Sequence, residues 1–139
     1  MMKSLVYKAC AAALLFLLVF QVANAAGDIV VISNSGITVS ADEIRDIFLG
    51  EKQFAGSTKL VVIDNAAVQG NFLTKVMHMD ATKYNSIWIK KSFRDGLTPP
   101  AVKSGDAEVI EYIKRTPGTI GYVSALPPGV TIILKVPAQ

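Results

Sequence analysis

Residues 61–72, VVIDNAAVQGNF, carry the side chains whose types and spacing best suit binding chemistry. An apolar, β-branched run stops at Asp64 and Asn65, and a helical pattern that contains Gln69, Gly70 and Asn71 follows. The first turn of a helix directs unpaired N–H groups outward, so a strand that leads into such a turn often binds an anion there. These five residues are therefore the candidate ligand-binding set. The competing interpretation is that Asp64 and Asn65 only cap the helix, which is the commoner use of Asp and Asn at that place.

The sequence does not indicate a catalytic, metal or cofactor site. His78 is the only histidine and Cys10 the only cysteine, and no serine stands in a G-x-S-x-G motif. A zinc site needs several Cys or His ligands, and a serine hydrolase needs a nucleophile beside a histidine. His78 is instead expected at a helix end, where a positive charge is favourable. We therefore predict that the protein is not an enzyme and has no resident cofactor.

The first 25 residues have the pattern of a secretory signal. Lys3 and Lys8 precede an uncharged run over residues 9–20, and Ala23-Asn24-Ala25 forms a small-residue cleavage motif. An uncleaved membrane anchor is the alternative, because the uncharged stretch is about long enough to span a bilayer. We favour cleavage after Ala25, which predicts a periplasmic protein with no membrane insertion after cleavage. Residues 26–139 then form one domain of ordinary size.

The charge balance gives no sign of a nucleic-acid partner. Of the 14 basic residues, Lys3 and Lys8 lie in the signal, so 12 remain against 11 acidic residues, a net charge of +1. Lys90-Lys91 is the longest run of like charge in this part of the chain. A nucleic-acid interface or a polybasic membrane patch would need clustered basic residues.

Hydrophobic periodicity predicts an α/β fold with a mixed sheet flanked by helices. The predicted strands are IVVIS, LVVID, TIGYVSA and VTIILKV, which begin at residues 29, 60, 119 and 130. The predicted helices have apolar stripes of Ile44, Ile47 and Phe48, of Phe72, Leu73, Val76 and Met77, of Tyr84, Ile87 and Trp88, and of Val109, Ile110 and Ile113. A polar loop is expected over residues 51–59. The order β-α-β-α-α-α-β-β is typical of helices that pack on a mixed sheet.

Local signals mark the ends of these elements. Ser40 with Glu43 three residues later fits a capping box, and Asp80 is placed to cap the helix that contains Trp88. In the run TPGTIGYV, Pro117-Gly118 ends a helix and Gly121 permits a close approach to the following strand. These signals support the fold and carry no chemistry of their own.

Several segments together resemble the periplasmic phosphate-binding protein family, the substrate-binding components of phosphate ABC transporters. They are ADEIRDIFLGEKQF, the Phe72 helix, the Trp88 helix with Phe93 and Gly96 after it, and RTPGTIGYVSA. The resemblance runs from about Ser40 to Ala125. It implies one lobe of a type II periplasmic-binding fold, and residues 26–139 leave no room for the family's other lobe. It also implies a non-catalytic module that binds phosphate or a similar oxyanion for transport or sensing.

The family's phosphate clamp is not matched in this sequence. In the family, the turn before the Phe supplies an Arg, an acid and a Ser-Gly-Thr run. Alignment on Phe72 puts Asp64 at the Arg, Ala66 at the acid, and Val68-Gln69-Gly70 across the Ser-Gly-Thr. An Asp in place of an Arg replaces a bidentate charged contact with repulsion of an anion.

Two functions therefore stay open at this stage. The first is weak binding of an oxyanion, or binding assisted by a second protein chain or a transporter. The second is an interaction or accessory protein that keeps the fold and has lost the ligand. A polar, concave face around Asp64 would favour a ligand, and a flat apolar face would favour a partner.

Overall fold

The structure is a computed structural model that describes residues 27–138. Its strands are β1 (Ile29–Ser33), β2 (Phe54–Ala55), β3 (Thr58–Lys59), β4 (Val61–Asn65), β5 (Ala101–Lys103), β6 (Thr119–Val123) and β7 (Thr131–Val136). Its α-helices are α1 (Ile44–Phe48), α2 (Gln69–Phe72), α3 (Ala81–Asp95) and α4 (Asp106–Arg115). A 3-10 turn, Ala41–Glu43, precedes α1, and a π-helical turn, Leu73–Met77, continues α2. The predicted signal at residues 1–25 lies outside the described residues.

Five strands form one mixed sheet in the order β5-β4-β6-β1-β7. Strand β4 runs parallel to both of its neighbours, β5 and β6, whereas β1 is antiparallel to β6 and β7. The predicted mixed sheet flanked by helices is confirmed. The parallel half places the carboxyl ends of three strands at one edge of the sheet.

The two faces of the sheet are covered by different helices. Along β1, Ile29 and Val31 point into the core shared with α1, α2 and α3, whereas Val30 and Ile32 point into the core shared with α4. All four side chains are fully buried. This alternation is the period-two pattern of a strand, and burial on both faces explains why the run is continuously apolar.

The predicted capping signals at Ser40, Glu43 and Asp80 are confirmed. The Glu43 carboxylate accepts the Ser40 N–H at 3.0 Å, as in a capping box, and Asp80 Oδ1 accepts the Lys83 N–H at 2.8 Å. The π-helical turn ends at His78, which has a positive φ of 53°. The predicted helix ends are therefore set by local side-chain and backbone chemistry.

The absence of a side chain at Gly121 allows Ile63 of β4 and Val109 of α4 to pack closely against β6. A Cβ on Gly121 would lie 2.9 Å from Ile63 Cγ1 and 3.2 Å from Val109 Cγ1. Gly118, at the preceding turn, has a φ of +80°, and its Cβ would lie 2.4 Å from the Lys59 carbonyl oxygen. The run TPGTIGYV therefore packs β6 against both β4 and α4.

Two features of the strands differ from the prediction. Residues 51–59, expected as a polar loop, contain the short hairpin of β2 and β3. Strand β5 was not predicted, because three residues directly after Pro99-Pro100 are too few to show a periodicity. β5 is nevertheless the edge strand beside β4 and borders the candidate site described next.

Candidate functional site

The candidate site lies where the parallel strands β4, β5 and β6 end. Asp64 and Asn65 end β4, Lys103 ends β5, and Ser124 follows β6. Helix α4 begins at the same edge with Asp106. In open α/β sheets this edge is the usual place for a ligand, because loops and helix starts converge there.

Asp64 is a buried carboxylate held by two tyrosines. Its side chain is 2% exposed; the Tyr84 hydroxyl donates to Oδ2 and the Tyr122 hydroxyl to Oδ1, each at 2.8 Å. Burial raises the pKa of Asp64, while hydrogen bonds from Tyr122, Tyr84 and Gln69 oppose the rise. Burial and the neighbouring Asp64 charge raise the pKa of both tyrosines, so each stays a hydrogen-bond donor.

The two tyrosines are positioned by the hydrophobic core. Tyr84 lies on the buried face of α3, one turn before Trp88. The Tyr122 ring on β6 stacks on Phe72 with centroids 3.8 Å apart and tilts against Phe48 at 5.7 Å. Because these rings are fixed by packing, their hydroxyls hold the Asp64 carboxylate in one orientation.

A second carboxylate, Asp106, accepts hydrogen bonds from Asn65, which follows Asp64 in the sequence, and from Ser124. Asp106 Oδ2 accepts the Ser124 hydroxyl at 2.6 Å and the Ser124 N–H at 3.1 Å. Asp106 Oδ1 accepts from Asn65 Nδ2 at 2.9 Å, and the same amide group also donates to the Tyr122 carbonyl at 3.1 Å. These donors are of the kind that an oxyanion needs. In this protein, an internal carboxylate occupies them.

The loop between β5 and α4 repeats the same arrangement. Glu108 Oε2 accepts the Ser104 hydroxyl at 2.6 Å and the Ser104 N–H at 3.0 Å. The Ser104 hydroxyl, and next its N–H, hold the pKa of Glu108 below its ordinary value. Three carboxylates, Asp64, Asp106 and Glu108, therefore surround the carboxyl edge of the parallel strands.

The expected capping role of Asp64 is wrong. Helix α2 begins at Gln69 with Val68 in the N-cap position, and the Asp64 carboxylate is bonded to tyrosines of α3 and β6. Asn65 does contribute locally, because its Oδ1 accepts the Ala67 N–H at 3.1 Å in a side-chain turn before the helix.

The five predicted site residues are only partly brought together. Asp64 and Asn65 are buried at the end of β4, and Gln69 is half-buried and lines the same groove as Asp64. Gly70 is exposed and Asn71 half-buried on the following turns. Gln69 and Asp64 line the same groove, and they are the two residues of the predicted set that do so.

This groove runs between α3 and β5 and has a volume of about 480 Å³. We call it the α3–β5 groove; its lining includes Asp64, Trp88, Ile89, Phe93, Pro100 and Val102. Its walls carry three of the most exposed large apolar side chains in the described part of the protein, Phe93 at 89%, Val102 at 60% and Ile89 at 59%. The face beside Asp64 is therefore concave and mainly apolar, with a carboxylate at its inner end.

Sequence reasoning missed Tyr84, Tyr122, Asp106 and Ser124 as site residues. Tyr84 was predicted on the apolar stripe of a helix and Tyr122 within a strand, and both are buried in the core. Asp106 lies just before the predicted stripe of Val109, Ile110 and Ile113, and Ser124 carries no motif. Their proximity depends on strand order, because Tyr122 lies 58 residues and Tyr84 20 residues from Asp64 in the sequence.

Within residues 27–138 there is no group of three or more His, Cys, Asp or Glu side chains arranged to hold a metal ion. Over the same residues, no helix is both long and apolar enough to span a bilayer.

Comparison with solved structures shows which fold this architecture belongs to. The chain superimposes with a TM-score of 0.51 on a protein from Clostridium perfringens described as a phosphate ABC transporter substrate-binding protein with bound phosphate. The two are 15% identical, and the match covers 78% of this chain and 46% of that chain. An ABC-type phosphate transport receptor from Vibrio cholerae gives a TM-score of 0.49 at 14% identity, covering 78% of this chain and 47% of that chain.

The likeness concerns the fold alone, and this chain spans about half the length of those proteins. No protein-family model matches the sequence, and no curated protein matches it. The structure is therefore a mixed α/β fold like part of a phosphate-transporter substrate-binding protein.

Proposed function

We propose that this protein is an exported, non-catalytic binding module that does not hold a free oxyanion tightly at the carboxyl edge of its sheet. The observation that carries the proposal is the Asp106 carboxylate, which already accepts the donors of Ser124 and Asn65. Asp64 adds a second negative charge at the neighbouring strand end. A phosphate would have to displace one carboxylate and approach another.

The energetic argument agrees with the resemblance to the phosphate-binding family and with its missing clamp. About three charge-assisted bonds of roughly 1.5 kcal/mol each give about 4.5 kcal/mol, which corresponds to millimolar affinity before any repulsion. A second protein chain or a transporter could supply a further wall, which keeps partner-assisted oxyanion binding within this proposal. The export of the module rests on the predicted signal at residues 1–25.

Isothermal titration of the purified protein with phosphate and then sulfate at low salt tests the proposal. We expect no saturable heat below millimolar ligand. Asp106→Asn removes one charge while it keeps the side-chain shape, and we expect it to raise phosphate affinity. Asp42→Asn, at an exposed position of the 3-10 turn, is the matched control and leaves the affinity unchanged. Micromolar binding by the unaltered protein would refute the proposal.

A second candidate function is an interaction module that uses the same face against another protein. The exposed Phe93, Ile89 and Val102 favour it, because an apolar patch of this kind is typical of interaction sites. Sedimentation of the protein with its host's periplasmic extract tests it: a complex heavier than the protein alone should form and be lost with Phe93→Ser. Leu126→Ser, at another exposed apolar residue, is the control and should leave the complex intact. If both variants behave alike, this candidate fails.

A further inference from the structure

Within residues 27–138, Asp64 has hydrogen-bond partners and no cationic partner. Among the ion pairs of residues 27–138, none includes Asp64, and the groups that influence its pKa are Tyr122, Tyr84 and Gln69. A carboxylate removed from water is costly unless a positive charge or sufficient donors compensate it. The two hydroxyls lower this cost but leave the net charge in place. The buried end of the α3–β5 groove is therefore complementary to a cation.

The groove has the size and lining of a small-molecule site. Its volume of about 480 Å³ falls in the range of roughly 300–1,000 Å³ that is usual for such sites. Phe93 and Ile89 on α3 form one wall, and Pro100 and Val102 form the opposite wall. An apolar body placed between these walls would cover side chains that are now largely exposed to water.

Polar groups in the same groove suit the N–H groups of an ammonium. Gln69, Asn85 and Ser92 line it together with Asp64, and each carries an oxygen that can accept a hydrogen bond. Trp88 also lines the groove, and an indole face attracts cations more strongly than any other side-chain ring. The groove thus combines one carboxylate, several neutral acceptors, an indole and apolar walls.

We propose that the α3–β5 groove binds a small organic cation, a primary ammonium carried on an aromatic or branched aliphatic body. The ammonium lies at Asp64, and the apolar body lies between Phe93 and Val102. This inference rests on the proposed function as a binding module and names the class of ligand that the module takes. It also accounts for an acid at the position where the resemblance places an anion-binding arginine.

Trp88 provides the assay, because it is the only tryptophan of the chain and it lines the groove. We would titrate the purified protein with phenethylamine, 2-phenylethanol and 3-phenylpropionate and follow tryptophan fluorescence, with isothermal titration as the second readout. The three probes share an aromatic body and differ in charge. We expect phenethylamine to bind about tenfold or more tightly than the alcohol, as a charge-assisted bond implies, and 3-phenylpropionate not to bind.

Two variants separate the charge from the apolar walls. Asp64→Asn keeps the shape of the side chain, and we expect it to remove the preference for the amine over the alcohol, whereas Asp42→Asn keeps that preference. Phe93→Ala should weaken the binding of phenethylamine and of 2-phenylethanol by a similar factor. Because Phe93 is 89% exposed, its side chain can be truncated without harm to the fold. If Asp64→Asn does not fold, the comparison of the three probes on the unaltered protein still decides the question.

Several outcomes would overturn the inference. Equal affinities for the amine and the alcohol would show that Asp64 does not favour a positively charged ligand. Binding of 3-phenylpropionate would contradict the inference that the ligand is a cation. Tighter binding of the peptide acetyl-Ala-Lys-Phe-Ala-amide than of phenethylamine would mean that the groove takes a protein segment. The phosphate titration separates the two proposals. Micromolar phosphate binding refutes the proposed function. The absence of measurable binding of both phosphate and phenethylamine refutes only the proposal of an organic cation as the ligand.

Discussion

Replacement of Tyr122 by Phe tests how strongly the core holds the Asp64 carboxylate. The change removes the hydroxyl that donates to Asp64 Oδ1 at 2.8 Å and keeps the ring that stacks on Phe72. Tyr122 is fully buried, and its hydroxyl is one of two that donate to the carboxylate. A hydrogen bond to a charged group contributes about 1.5–3 kcal/mol, and we expect the free energy of unfolding to fall by about 2 kcal/mol.

Urea unfolding followed by tryptophan fluorescence measures this change. With a denaturant dependence of roughly 2 kcal/mol per molar urea for a domain of this size, the unfolding midpoint should fall by about 1 M. Tyr112→Phe is the control: its ring lies under Lys103 Nζ, 4.3 Å from the centroid, a contact that does not need the hydroxyl. We expect that control to stay within about 0.5 kcal/mol of the unaltered protein.

A double-mutant cycle decides whether the loss comes from the bond to Asp64. Tyr122→Phe in the Asp64→Asn background should cost less than in the unaltered protein, with a coupling energy on the order of 1 kcal/mol or more. A midpoint shift below about 0.3 M, or strictly additive effects, would refute the view that the tyrosine stabilises a buried carboxylate.

Three further changes test the packing, the helix cap and the pH dependence. Gly121→Ala brings a Cβ within 2.9 Å of Ile63 Cγ1 and should lower the free energy of unfolding by about 1–3 kcal/mol. Gly70→Ala, whose Cβ would meet nothing within 4 Å, is the control and should be neutral or stabilising. Equal effects of the two changes would contradict the close approach at Gly121. Asp80→Ala removes the N-cap of α3 and should lower the stability by about 1 kcal/mol in thermal unfolding, and an unchanged melting temperature would show that the cap contributes nothing. Burial raises the pKa of Asp64 above its ordinary value of 3.8. Above pH 3.8 the folded protein therefore binds more protons than the unfolded chain. Its stability falls as the pH rises through the window from 3.8 to the raised pKa. In urea unfolding from pH 3 to pH 8, Asp64→Asn should lack this part of the decline; parallel curves for the two proteins would contradict the burial argument.

The elements of the fold were determined largely by local sequence. The run IVVIS is apolar and β-branched because β1 is buried on both faces, and the Ser40–Glu43 and Asp80 caps act within one helical turn. Such signals depend on neighbours that are close along the chain, so they can be recognised without the tertiary structure. The β2–β3 hairpin and β5 were missed because strands of two or three residues show no period.

The sequence also determined which segment ends at the functional edge, since VVIDN leads directly into a helix. Only the tertiary structure decided what the end of that strand does. The parallel pairing of β4 with β6 brings Tyr122 to Asp64, and the packing of α3 on the sheet brings Tyr84 to the same carboxylate. A buried charge depends on the groups that surround it in space, and these come from distant segments, so no local pattern could distinguish a helix cap from a carboxylate at the inner end of an apolar groove.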